Sequence, residues 1–169
     1  MYLITAYFDE ETNRIIRRHI ERIAACSGND FMTRNNVPPH LTISAVEARD
    51  INELVPSVRG LGGEFLSGEI NIVSVGTLLP YVMYITPVMN DYLRTLSQRV
   101  YDALPLSDEI KVNRFYVPGN WLPHVTLGKT LDKDQMREAF FYLQDNFSPF
   151  RARVTSIGLS RVNPYEEFL

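Results

Sequence analysis

Apolar, β-branched and aromatic side chains crowd residues 2–8, and that composition predicts a strand. The spacing then lengthens. Ile16, Ile20, Ile23 and Ala24 recur at helical intervals, while Arg14, Arg17, Arg18 and Arg22 fall mostly elsewhere. This predicts an amphipathic helix with Asp9 as its cap and Gly28 as its stop. Residues 31–39 read as a polar loop ending in Pro38-Pro39, and residues 40–46 alternate like a strand. Asp50 and Glu53 form a capping-box pattern for a short helix that contains Pro56, and Gly60, Gly62 and Gly63 mark a turn. Two strand-like runs follow, at 69–78 and 81–86. Leu93, Leu96, Val100 and Leu104 predict a helix over 91–104 that Pro105 ends. Residues 105–123 read as a loop holding one strand at 109–117, and 121–129 as a further strand. Asp132 and Gln135 give a second capping box, opening a helix with Met136, Ala139, Phe140 and Leu143 on one face. Residues 151–162 predict the last strand.

Short strands thus mix with helices, some strands joined by short turns, which predicts an α+β fold with antiparallel pairing rather than a doubly wound parallel sheet. No glycine-rich phosphate loop of the GxGxxG or GxxxxGK[ST] kind is present. The 169 residues suit one domain, 1–169, or two tightly fused lobes, and no linker or low-complexity tract divides them.

Composition narrows the function classes. Hydrophobic residues make up 45% and charged residues 22%, as in an ordinary globular chain. A formal charge of -3 argues against coating of long nucleic acids, whose readers are strongly basic. It leaves room for a small anion or an RNA end held in a local pocket. The single cysteine, Cys26, excludes an internal disulfide and any CxxC zinc site. The first nine residues make a poor signal peptide, and no apolar run is long enough to span a membrane. A cytoplasmic protein is expected.

Two segments repeat one pattern. Pro39-His40-Leu41-Thr42-Ile43 and Pro123-His124-Val125-Thr126-Leu127 both read Pro-His-apolar-Thr-apolar, 84 positions apart, and hold two of the three histidines. On a strand, His40 and Thr42 share one face and Leu41 and Ile43 the other, and the second copy behaves alike. The apolar face anchors the strand in a core. The polar face presents an imidazole and a hydroxyl roughly 7 Å apart. Side by side, the two strands would converge two imidazoles and two hydroxyls on one cleft. A neutral imidazole can take a proton from an attacking water or hydroxyl, and a protonated one can give a proton to a leaving oxygen. Thr42 and Thr126 can donate hydrogen bonds to non-bridging phosphate oxygens. Zinc would need further ligands, which neither His19 nor Cys26 is placed to provide, so neither a metal nor a cofactor is expected.

The paired motifs, their spacing and the element order resemble the two-histidine (2H) phosphoesterase superfamily, and within it the bacterial and archaeal 2′-5′ RNA ligase and cyclic phosphodiesterase branch. That family carries His-x-Thr/Ser-x twice per chain, which His40/Thr42 and His124/Thr126 match. The resemblance implies a bilobal fold: two pseudo-symmetric antiparallel sheets, backed by helices, around a central cleft. It implies a hydrolase acting on 2′,3′-cyclic phosphates or 2′-5′ phosphodiesters of nucleotides or RNA ends, with 2′-5′ ligation as the reverse reaction. A monomer is expected. One departure is visible: relatives often carry an arginine after the second motif, where the nearest basic residue here is Lys129, a point charge rather than a planar fork. Two rival readings are a non-catalytic module that holds a nucleotide or RNA end in the same cleft, and phosphoester chemistry on a non-nucleotide small molecule.

Around the motifs, Tyr116 and Trp121 could stack on a base or simply pack, and Arg34 could meet a phosphate or stay solvated. His19 is expected on the surface, Cys26 is expected as a small buried apolar residue, and Tyr165-Glu166-Glu167 carries no evident chemistry.

Overall fold

The computed structural model describes residues 1–61, 67–161 and 165–169. Gly62, Gly63 and Val162, which the pattern placed at a turn and at a strand end, lie outside them. The elements are β1 (Tyr2–Phe8), α1 (Glu10–Ser27), α2 (Phe31–Arg34), β2 (His40–Glu47), α3 (Val55–Gly60), β3 (Gly68–Leu78), β4 (Val82–Pro87), α4 (Asp91–Ala103), β5 (Lys111–Val112), β6 (Val125–Gly128), α5 (Lys133–Asn146), β7 (Phe150–Arg161) and β8 (Glu166–Glu167). Every strand pairing is antiparallel, as an α+β fold of this kind requires.

The pairings run β1-β2-β6-β4-β3-β7, and β7 returns to pair with β1. The two expected sheets are therefore continuous with each other. β7 manages this by length: its first half registers with β3, Phe150 against Ile72, and its second half with β1, Arg161 against Tyr2. The strands that carry the two repeated motifs, β2 and β6, meet at one registered pair, Leu41 with Val125. Both side chains are fully buried, in one apolar cluster with Ile16, Ile20 and Ile23 of α1 and Leu93, Leu96 and Val100 of α4.

Local chemistry sets the element ends. The Asp9 carboxylate accepts from the Thr12 amide at 2.9 Å, and Gly28 ends α1 at φ 72, in the left-handed region that favours glycine. The Asp132–Gln135 capping box forms in full and opens α5.

Several expectations need correction. Residues 31–39 are not all loop, because 31–34 form the single turn α2. Asp50 caps a 3-10 turn at Ile51–Glu53, and α3 starts only at Val55, where Pro56 sits in a first turn that needs no amide from it. The strand expected at 109–117 shrinks to β5, since the Asn113 carboxamide accepts from the Phe115 amide and starts a 3-10 turn. Phe140 does not join the buried face of α5: it is 47% exposed, about 100° around the helix from Ala139.

Candidate active site

An antiparallel ladder fixes what surrounds its registered pair. From Leu41 opposite Val125, the ladder sets His40 across from Thr126 and Thr42 across from His124. The four polar side chains occupy the corners of a small rectangle, with like residues on the diagonals. Diagonal neighbours of this kind stand about 7–8 Å apart, a span that admits one phosphate between two imidazoles. All four line one open pocket of about 360 Å³. A bulge refines the face. β2 carries an extra residue, Ile43, between the pairs Ile4–Ser44 and Thr5–Thr42, so Ala45 rather than Ser44 follows Thr42 into the pocket wall.

Each histidine is oriented the same way. The His40 Nδ1 lies 2.8 Å from the Pro38 carbonyl and the His124 Nδ1 lies 2.9 Å from the Leu122 carbonyl. A carbonyl only accepts, so Nδ1–H donates in both, which leaves both Nε2 atoms to take or give a proton. The intervening proline matters. It holds the residue before it extended, and so aims that carbonyl back at the ring two positions on. Burial pushes both imidazoles below the ordinary histidine range; the carbonyl contacts oppose it, and for His40 the charges of His124 and Lys129 push the same way. The neutral form is thereby favoured, and a bound phosphate would reverse that preference.

The second motif differs from its expected conformation. Residues 121–124 are not strand, and β6 begins at Val125. Pro123 cannot donate to a ladder, and side chains take up the local carbonyls instead. The Trp121 indole N–H donates to the Thr42 carbonyl at 3.0 Å, the Thr86 hydroxyl to the Pro123 carbonyl at 2.8 Å, and His124 to Leu122. Trp121 is thus buried and ties the two motifs together, which removes it from the candidates for base stacking.

The other candidates divide. Tyr116 and Lys129 line the pocket, the Lys129 ammonium lying 5.6 Å over the Phe31 ring. Arg34 does not; it is exposed and paired with Asp30 at 3.5 Å. Among the described residues Lys129 is the one cationic side chain of the lining. His19 is buried, not on the surface: its Nδ1 lies 3.0 Å from the Tyr142 hydroxyl, between α1 and α5. Cys26, expected buried, is exposed: it sits at the edge of the contact between α1 and α5, its Sγ 3.8 Å from the Glu138 carbonyl. Among the described residues no three His, Cys, Asp or Glu side chains gather as metal ligands would. Among the described residues no helix is long and apolar enough to cross a membrane.

Sequence reasoning passed over four residues. Asn35 and Asn113 bring carboxamides to the lining. The Tyr84 ring lies 5.1 Å from that of His124, in space left by Gly76, where a Cβ would meet the phenol at 2.5 Å. Tyr165 lines the pocket beside His40. The periodicity of residues 82–87 carries a signal for Tyr84; nothing local marks Tyr165.

Among solved structures the chain is similar to a phosphoesterase, at 14% identity over 99% of this chain and 94% of that one, with a TM-score of 0.64. It is also similar to E. coli LigT complexed with 3′-AMP, at 14% identity, 99% and 94% coverage and a TM-score of 0.61, and to LigT complexed with ATP, at 13%, 99% and 93%, with a TM-score of 0.56. At these identities the likeness is one of fold. No curated protein matches the chain in sequence. The profile of the 2′-5′ RNA ligase superfamily matches residues 13–165, which include both histidine motifs, and the chain belongs to that superfamily of two-histidine phosphoesterases.

Proposed function

We propose that the protein is a metal-independent phosphodiesterase that opens 2′,3′-cyclic phosphates or cleaves 2′-5′ phosphodiesters on nucleotides or RNA ends. The observation that carries the reading is the pair of imidazoles on one diagonal of one pocket, each with Nδ1 engaged by its own carbonyl. One Nε2 takes a proton from water as the new P–O bond forms. The other gives a proton to the ribose oxygen as the old P–O bond breaks. Thr42 and Thr126 donate to the non-bridging oxygens, and Lys129 adds positive charge. With a 5′-hydroxyl in place of water as the attacking group, the same steps join two RNA ends 2′-5′: the new P–O bond forms to the 5′ oxygen, and the bond from phosphorus to the 3′ oxygen of the cyclic phosphate breaks as that oxygen takes the proton. The nucleotides carried by LigT, 3′-AMP, ATP and NADP+, support a ligand of this class.

The test is turnover of cyclic and 2′-5′-linked substrates in excess chelator. His40→Ala and His124→Ala should each lower kcat by about 10²–10⁴-fold with the fold intact by circular dichroism. A folded double variant that retains wild-type turnover would falsify the mechanism. Tight binding of these ligands with no turnover by the wild-type protein would favour the non-catalytic module instead.

A further inference from the structure

Two phenols from distant parts of the chain gather at His40, those of Tyr165 and Tyr7. Tyr165 stacks on the imidazole with centroids 6.3 Å apart and planes inclined by 28°. The Tyr165 hydroxyl lies 2.8 Å from that of Tyr7. Tyr7 is the ladder partner of His40 in β1. Across the pocket stands His124, whose own ring neighbour, Tyr84, is tilted rather than stacked, at 53°.

Tyr165 is held there by the end of the chain. β8 pairs with the end of β7, the Phe168 amide donates to Leu159 and the Leu159 amide to Leu169. Arg161 pairs with Glu166 at 2.5 Å. Gly158 makes room for this arrangement, because a Cβ there would meet the Leu169 carbonyl at 2.4 Å and the Tyr7 ring at 2.6 Å. Leu159 and Ser160, the two residues that follow Gly158, are fully buried.

From this packing we infer that Tyr165 is a positioning residue: its ring, locked by Tyr7 and the C-terminal strand, fixes the plane of His40 and shields one face of it from water. The inference rests on the proposed use of His40. The Pro38 carbonyl holds the ring at Nδ1 but leaves it free to swing about that contact. A stacked phenol removes that freedom without occupying Nε2. The groups facing His40 are then Tyr165 from the C-terminal strand, Tyr7 from β1, and His124 and Lys129 from the β6 side. Both phenols stay neutral, as burial raises them and Glu167 adds to the effect. Lys129 and His124 are the groups here that can carry charge toward His40.

The chain has only three histidines, so proton NMR of the imidazoles reads His40 directly, with or without turnover. Tyr165→Ala should move the His40 titration upward toward the ordinary value as water reaches the ring, and leave that of His124 in place. It should lower kcat by about 10-fold or more with KM little changed. Tyr165→Phe keeps the stack and should stay within about fivefold of wild type. Should Tyr165→Ala fail to fold, Tyr165→Leu carries the same expectations. An unmoved His40 titration in a folded Ala or Leu variant overturns the inference, as does a Phe variant as impaired as either. Loss of turnover on His40→Ala, beside an unmoved titration on Tyr165→Ala, would sink this inference and leave the proposed function standing.

Discussion

Replacing Trp121 with phenylalanine tests whether the two motifs are held together by one side chain. β2 and β6 share a single registered pair, so the indole bond to the Thr42 carbonyl is the second tie between the segments that carry His40 and His124. Phenylalanine keeps an aromatic ring in the core but has no donor. The Thr42 carbonyl then lacks that buried partner, which costs about 1–3 kcal/mol. The missing part of the indole removes apolar contact at a residue that is only 7% exposed, about another 1 kcal/mol. Together the loss is about 3 kcal/mol. For a chain of 169 residues each kcal/mol lowers Tm by about 2–4 °C, so the melting point should fall by about 6–12 °C. Calorimetry reads this directly. Because the tie sets the spacing of the histidines and not the grip on substrate, kcat should fall by more than KM rises. A Trp121→Phe protein that melts within about 2 °C of wild type, with unchanged kcat, would refute the reasoning.

Two other outcomes follow from buried groups. Burial holds His19, His40 and His124 below the ordinary histidine value, with Arg18 adding to the effect at His19. As pH falls below about 6.5 the unfolded chain binds protons that the native chain does not, so stability is complete above that value and is lost toward the folded values. Melts between pH 8 and 5.5, above the range where most carboxylates titrate, should show Tm falling on acidification, and a triple His→Gln variant should flatten the slope; a flat wild-type curve contradicts this. Gly158→Ala drives a methyl against the Leu169 carbonyl and should destabilise by about 1–3 kcal/mol while loosening the last strand. Hydrogen exchange at the Leu159 and Phe168 amides should then run faster in the variant than in wild type, and equal exchange would show that the close approach there is readily relieved.

Much of the fold was legible because its elements have strong local signals. β1, α1, β3, β4 and α4 carry clear local patterns, and the structure bounds them within a residue or two of those patterns, while α5 opens at the expected Asp132 cap. The failures share a cause. The segments at 109–117 and 121–124 have strand-like composition, but side chains take backbone partners there in place of a ladder: the Asn113 carboxamide accepts from the Phe115 amide, the Thr86 hydroxyl donates to the Pro123 carbonyl and the Trp121 indole to the Thr42 carbonyl of β2. A single sequence does not show which donor will reach which carbonyl. The site was legible for a different reason. Two copies of one pattern mark His40, Thr42, His124 and Thr126, and the prolines before them mark the backbone that aims the rings. Tyr165 was invisible because its place beside His40 depends on β7 reaching β1, a contact between the two ends of the chain. His19 was misread because its arginine neighbours suggest solvent, while the side of α1 it occupies meets Tyr142 of α5.

The double service of β7 also bears on how the protein is made. During synthesis β1 finds one of its two neighbours early, in β2, and must wait for the other until residues 154–161 are made. At ordinary elongation rates, about 5–20 residues per second, that wait lasts about 8–30 s. Throughout it one flank of a hydrophobic strand stays open to stray partners, so nascent chains arrested before β7 should be protease-sensitive and should bind holdase chaperones, and arrested chains that expose β7 beyond the exit tunnel should do neither.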